Sequence, residues 1–165
     1  MSTRGTIVVG VDGSDCSRTA LEFALEEAVR RQAALRVVSA LPEAEYWATA
    51  SGMSPSLLEE LSADVEKVTR EMVDDVVSER GGAVADVPVE VRALGGPPGH
   101  VLVDQSRDAD LLVVGHRGRG GFRSAVLGSV GLQCVLHAPV PVTVVRPEQQ
   151  PAAGGHGRAG TRTTA

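Results

Sequence analysis

Aromatic side chains are almost missing from this chain: two phenylalanines, one tyrosine and one tryptophan make up 2% of 165 residues. A core with so few rings has to be packed from valine, leucine and alanine. Lysine is scarcer still, with Lys67 the only one. The two cysteines, Cys16 and Cys134, stand far apart and form no CxxC pair. That excludes a disulfide-stapled scaffold and reads as two reduced thiols, small buried apolar residues of a cytosolic protein. No apolar run approaches the roughly 18 residues that a membrane span needs. No charged-then-apolar leader precedes the first strand-like segment, so the expected location is the cytoplasm. A net charge of -5 argues against broad nucleic-acid binding, which is driven by neutralising phosphates.

What is present is ordinary for a globular protein: 42% hydrophobic and 22% charged residues, in a chain long enough for one real core. Residues 1–147 are expected to form a single domain. From Glu148 onward the sequence holds no Val, Ile, Leu or aromatic residue. Such a segment cannot bury enough surface to offset its ordering entropy, so 148–165 is expected to be a disordered tail.

The apolar pattern alternates between two periods. TIVVGV at 6–11 is β-branched and stops at Asp12-Gly13-Ser14, as a buried strand would. Leu21, Ala24, Leu25, Ala28 and Val29 then share one helical face, with Ser14 or Asp15 placed to cap it. A second strand follows at 35–40, then a long loop at 41–55 carrying Tyr46 and Trp47. Ser56 and Glu59 have capping-box spacing, and the helix they open shows Leu58, Leu61, Val65, Val68, Met72 and Val76 as its stripe, ended by Gly81-Gly82. Residues 87–93 alternate with period two and include Pro88, the mark of an edge strand. A short helix at 98–106 and the wholly apolar strand 111–114 come next. A helix at 129–137 and a proline-bearing edge strand at 140–145 close the pattern. Strands and helices in alternation predict an α/β domain with a mostly parallel sheet and right-handed crossovers.

Between strand 111–114 and helix 129–137 lies GHRGRGGFRSAVLGS, residues 115–129, with five glycines and three arginines. A glycine-rich connection from a strand end to a helix start is placed to bind anions, because bare backbone amides converge there with the helix dipole. Gly118 would let the loop approach closely, while the amides and hydroxyl at Gly128-Ser129 face the ligand. Two familiar phosphate motifs fail. The Walker pattern needs a lysine after its second glycine, whereas the only lysine, Lys67, lies mid-helix, and GxGxxG breaks because position 123 is Arg.

The spacing that does fit is G-x2-G-x9-G-S: Gly115, Gly118, Gly128 and Ser129. Together with IVVGVDGS at 7–14, DADLLVVG at 108–115 and APVPVTVVR at 138–146, it resembles the universal stress protein family over about residues 5–147. The resemblance implies a Rossmann-like, three-layer fold: an open five-stranded parallel sheet of order 3-2-1-4-5, flanked by helices. It also implies an ATP site; separately, a magnesium ion riding on the phosphates is expected to be held mainly by the nucleotide. Asp12 and Ala40 would lie against the adenosine, and Val114 and Gly115 under the ribose and first phosphate. Arg117, Gly118, Gly128, Ser129 and Val130 would surround the phosphate chain. A homodimer paired through strand 140–145 follows from the same resemblance. Independently, an open α/β sheet places its ligand crevice at the carboxyl ends of strands where the winding reverses.

Other readings of these residues are weaker. Arg117 to Arg123 looks like an RNA-binding arginine-glycine box, but it is a single copy held between a strand and a helix. Asp12 as a phospho-acceptor would need a later lysine. His116 sits where the motif is free and is expected to be solvent-exposed, as are His100 and His137. Asp104, Asp108 and Asp110 are expected to be solvated. No residue offers itself as the base that orients water on a γ-phosphate. The expected role is therefore a nucleotide-responsive stress factor, with slow ATP hydrolysis or nucleotidyl transfer, or a non-binding interaction module, as rivals.

Overall fold

The apolar strands and striped helices assemble in the predicted alternation. The computed structural model describes residues 5–41, 55–118 and 127–147. The elements run β1 (Thr6–Gly10), α1 (Asp15–Arg31), β2 (Ala34–Ala40), α2 (Pro55–Arg80), a 3-10 turn (Gly82–Asp86), β3 (Val89–Leu94), α3 (Pro98–Gln105), β4 (Leu111–Gly115), α4 (Ser129–His137) and β5 (Val142–Val145). All strand pairs are parallel and the order is β3-β2-β1-β4-β5. β1 sits at the centre, with Ile7 opposite Leu35 of β2 on one side and Leu111 of β4 on the other.

Because strand side chains alternate between faces, each central strand feeds two cores. Ile7 and Val9 join Leu21, Ala24, Leu25 and Ala28 of α1 and Val73 and Val76 of α2 on one face. Val8, Val38, Leu112 and Val114 meet Val101 and Leu102 of α3 and Cys134 of α4 on the other. The result is three layers. Ser14 is the cap of α1, its Oγ accepting from the Ser17 amide at 3.2 Å.

Three details differ from the sequence reading. In α2 the buried positions are Thr69, Val73 and Val76, whereas Val68 is 63% exposed. Thr69 takes the inward place at no polar cost because its hydroxyl donates to the Val65 carbonyl at 2.7 Å. The helix also begins at Pro55, one residue before the Ser56 at which the sequence pattern opens it. Finally, both edge strands start two residues later than their apolar patterns. Pro88 and Pro141 precede them, each lending only a carbonyl to the neighbouring strand, to Leu35 N–H at 2.9 Å and Leu112 N–H at 3.0 Å. The 41–55 loop with Tyr46 and Trp47, most of the spacer after Gly118, and the 148–165 tail lie outside the described residues, apart from Leu41 and Pro55.

Burial separates two substitutions that the sequence would treat alike. Leu25→Ala removes a side chain with no exposed surface and should cost about 2–5 kcal/mol. Val68→Ser should stay within about 0.5 kcal/mol of the parent. Urea unfolding of the two variants checks the assignment.

Candidate functional site

The winding reverses between β1 and β4. The chain leaves β1 into α1 on one face and leaves β4 towards α4 on the other, so the two carboxyl ends diverge. Between them lies a cavity of about 480 Å³, within the size range of small-molecule sites. All nine residues singled out from the sequence line it: Asp12, Ala40, Val114, Gly115, Arg117, Gly118, Gly128, Ser129 and Val130. The wall also contains residues that the sequence did not mark, among them Val38, Pro98 and Leu102. Nothing distinguishes these from core residues in the sequence. Only the topology brings β2 and the start of α3 to the same opening.

Asp12 is fixed by the turn that follows it. Its Oδ1 accepts from the Ser14 amide at 2.9 Å and from the Ser14 hydroxyl at 2.6 Å. Its backbone N–H points to Ser17 Oγ at 3.3 Å, and that hydroxyl donates to the Ser14 carbonyl at 2.9 Å. Asp12 thus orients the very residue that caps α1, and the amide of Ser17 is satisfied within the protein. The other carboxylate oxygen faces the glycine loop: a Cβ added at Gly118 would stand 2.6 Å from Asp12 Oδ2. The close approach that Gly118 permits is therefore one between two walls of the cavity.

Gly115 and Gly128 are glycines for different reasons. A Cβ on Gly115 would lie 2.8 Å from the Cys16 carbonyl oxygen, so the end of β4 and the start of α1 touch backbone to side-chain-free backbone. At Gly128 the backbone is ordinary, φ -63° and ψ 158°, and an added Cβ would meet nothing closer than 3.5 Å. Gly128 is the cap residue of α4, and no side chain caps that helix. Its first amides, beside the Ser129 hydroxyl, are open to an anionic ligand with the positive end of the helix dipole behind them.

The histidine and cysteine of this region depart from expectation. His116 is half-buried rather than exposed, and its Nδ1 is buried without a hydrogen-bond partner among the described residues. Burial first, then the charges of Arg117 and Arg146, hold its pKa below the usual histidine value. Cys16 is only half-buried, while Cys134 is fully buried and its thiol is pushed up to about 11 by that burial. Asp104, Asp108 and Asp110 are exposed as expected but engaged: Asp108 pairs with Arg36 at 2.7 Å, Asp104 pairs with Arg107 at 3.1 Å and Asp110 accepts from the Thr6 amide at 2.8 Å.

A family model described as the universal stress protein family matches residues 3–146. The chain belongs to the universal stress protein family. It is 34% identical over 161 residues to the universal stress protein Rv1996 of Mycobacterium tuberculosis, covering 91% of this chain and 50% of that protein. It is 35% identical over 158 residues to Rv2624c of the same organism, covering 92% of this chain and 54% of that one. The chain thus spans about half the length of the curated relatives it matches. Among solved structures, a universal stress protein in complex with cAMP is 28% identical with a TM-score of 0.61, covering 88% of this chain and 98% of that chain. One from Archaeoglobus fulgidus in complex with dAMP is 25% identical with a TM-score of 0.56, covering 87% and 98%. The fold and strand order of this universal stress protein are those of its structural neighbours.

Among the described residues that line the cavity, Asp12 is the one carboxylate, and no group of three or more potential metal ligands occurs among the described residues. None of the described helices is long and apolar enough to cross a membrane.

The glycine geometry predicts unequal damage. Gly115→Ala forces backbone apart at the root of the site and should cost about 1–3 kcal/mol, as overpacking does. Gly128→Ala should leave stability within about 0.5 kcal/mol of the parent. Thermal and urea unfolding of the two variants measure both.

Proposed function

We propose that this universal stress protein binds an adenine nucleotide, ATP, in the cavity at the β1/β4 switch point and acts as a nucleotide-responsive stress factor. The observation that carries the reading is the convergence of Asp12 and Ala40 with Gly115, Arg117, Gly118, Gly128 and Ser129 on one cavity beside an uncapped helix start. In the proposed pose Asp12 and Ala40 lie against the adenosine, and Val114 and Gly115 under the ribose and first phosphate. Arg117, Gly118, Ser129 and the amides from Gly128 to Val130 surround the phosphate chain. Magnesium would ride on phosphate oxygens. The relatives solved with cAMP and dAMP support the choice of base. In this reading the role is binding without fast turnover.

Nucleotide released from the denatured purified protein, identified by chromatography, tests this directly. Titration of the emptied protein with Mg-ATP should show saturable binding, weakened at least ~10-fold by Gly128→Ala, or about 1.4 kcal/mol. Gly128→Ala is the discriminating variant because its fold has room for the methyl. Saturable binding that this variant leaves unchanged would show that the α4 start does not hold phosphate.

A second copy of this chain is the proposed partner. Among the described residues β5 is a sheet edge paired to β4 alone, and an uncovered edge is an invitation to pairing. Next to it α4 exposes Leu132 (48%), Val135 (49%) and Leu136 (65%) on one face, an apolar surface that association would cover. Sedimentation equilibrium should return a dimer, and the double substitution Val135→Glu with Leu136→Glu should shift it to monomer. A monomeric parent at tens of micromolar would refute the pairing.

A further inference from the structure

His116 occupies a position that the glycine motif leaves unspecified, yet its backbone is held at both ends. Its N–H donates to the Val145 carbonyl at 2.8 Å, and its carbonyl accepts from the Gly128 N–H at 3.0 Å. One residue therefore ties the end of β5 to the cap of α4, with Arg117 and Gly118 of the cavity wall following directly. The cavity is lined by Gly115, Arg117 and Gly118 on either side of it but not by His116 itself. The residue is half-buried, with Nδ1 closed off from solvent and without a hydrogen-bond partner among the described residues.

We propose that His116 is a proton-sensitive positioning residue for the phosphate-facing loop: neutral, it leaves residues 115–118 braced between β5 and α4, and protonated it loosens that brace and weakens nucleotide binding. The second half of the statement rests on the nucleotide reading above; the first does not. Protonation would place an N–H at a buried position that offers no acceptor, and such a donor is costly to leave unmade. It would also add a third positive charge to the influence of two guanidinium groups, Arg117 on the same loop and Arg146 directly after β5. The other packed elements do not compensate. Residues 129–132 of α4 carry no ionisable side chain, α1 brings Cys16 against the neighbouring Gly115, and Asp12 faces Gly118. Among the described residues, no carboxylate is one of the groups that act on the ring.

The sign follows from burial. The braced arrangement binds the neutral ring better than the charged one, so its contribution is complete above the ordinary histidine value of about 6.5. It is lost as pH falls from there through the lowered value of the braced state. A phosphate in the cavity attracts positive charge and pulls the other way. Desolvation is the largest influence on the ring, however, and the ring is not in the cavity wall.

The test begins without nucleotide. In NMR titrations of the nucleotide-free protein from pH 7.5 to 5, the His116 ring should titrate below the ordinary value, and the Gly128 and His116 amide signals should move with the same midpoint. Both movements should vanish in His116→Gln, with His116→Asn as the replacement if the glutamine variant does not fold. A ring titrating at or above the ordinary value, or amides that stay still as it titrates, overturns the proposal. With ADP as the probe, the affinity of the parent relative to His116→Gln should fall at least about threefold between pH 7.5 and 5.5. The variant serves as reference because the phosphate's own titration cancels in that ratio. Parallel profiles overturn the coupling to binding. Absence of ADP and ATP binding at every pH refutes the nucleotide reading and with it the coupling, while the amide titration still decides the brace.

Discussion

The site depends on the contact between the end of β4 and the start of α1. β4 must run beside β1 for the sheet to have a centre, while α1 must start immediately after β1 and fold back over the same two strands. The Cys16 carbonyl and Gly115 Cα consequently share space that a single Cβ would overfill, with 2.8 Å between the oxygen and the added atom. Such contacts cannot relax by rotamer change, since both partners are main chain. Removing the side chain at position 115 is the least disruptive solution. It also leaves the chain free to turn away towards α4, which opens the cavity. Close packing and the opening of the cavity thus favour the same residue at the same place.

Two helices begin at this switch point, and they treat their free amides in opposite ways. α1 is closed by Ser14, itself held by Asp12. α4 starts at a glycine that has no side chain to fold back. A helix start that is satisfied internally gains little from an anion, whereas an uncapped one offers several donors aligned with the dipole. The asymmetry gives the cavity a polarity: a capped, carboxylate-bearing wall at Asp12 and an uncapped wall at Gly128 and Ser129. An elongated ligand with a neutral polar end and an anionic end has one favourable orientation between them.

Much of this was legible in the sequence because local rules and the tertiary structure agree. Wholly apolar β-branched runs became the central strands β1 and β4, and α4 begins and ends where its flanking glycine and proline predicted. The strand order came from the family resemblance, since alternation alone gives a parallel sheet but not its order. The failures have physical causes. Val68 was chosen for the stripe of α2 because valine is apolar, but the inward place belongs to Thr69, whose hydroxyl is satisfied by its own helix. His116 was read as exposed because its motif position is free. Its environment is made by β5 and α4, which lie 12 or more residues further along the chain. Val38, Pro98 and Leu102 could not be recognised as cavity wall because a residue facing a cavity and a residue facing the core look alike until the sheet is assembled.

The same geometry links occupancy to stability. Val38, Leu102 and Val114 are each buried to within 5% of full burial, yet they also border a cavity of about 480 Å³. Apolar atoms that border a water-accessible cavity lack the contacts that a close-packed core would give. A ligand that fills the space supplies those contacts and binds only the folded chain. At a hundredfold excess over its dissociation constant it adds about 2.7 kcal/mol to stability, a substantial part of the roughly 5–15 kcal/mol that holds a domain together. Under the nucleotide reading proposed above, the folded population would follow ligand concentration by mass action alone. No catalytic step is needed for the protein to respond to it.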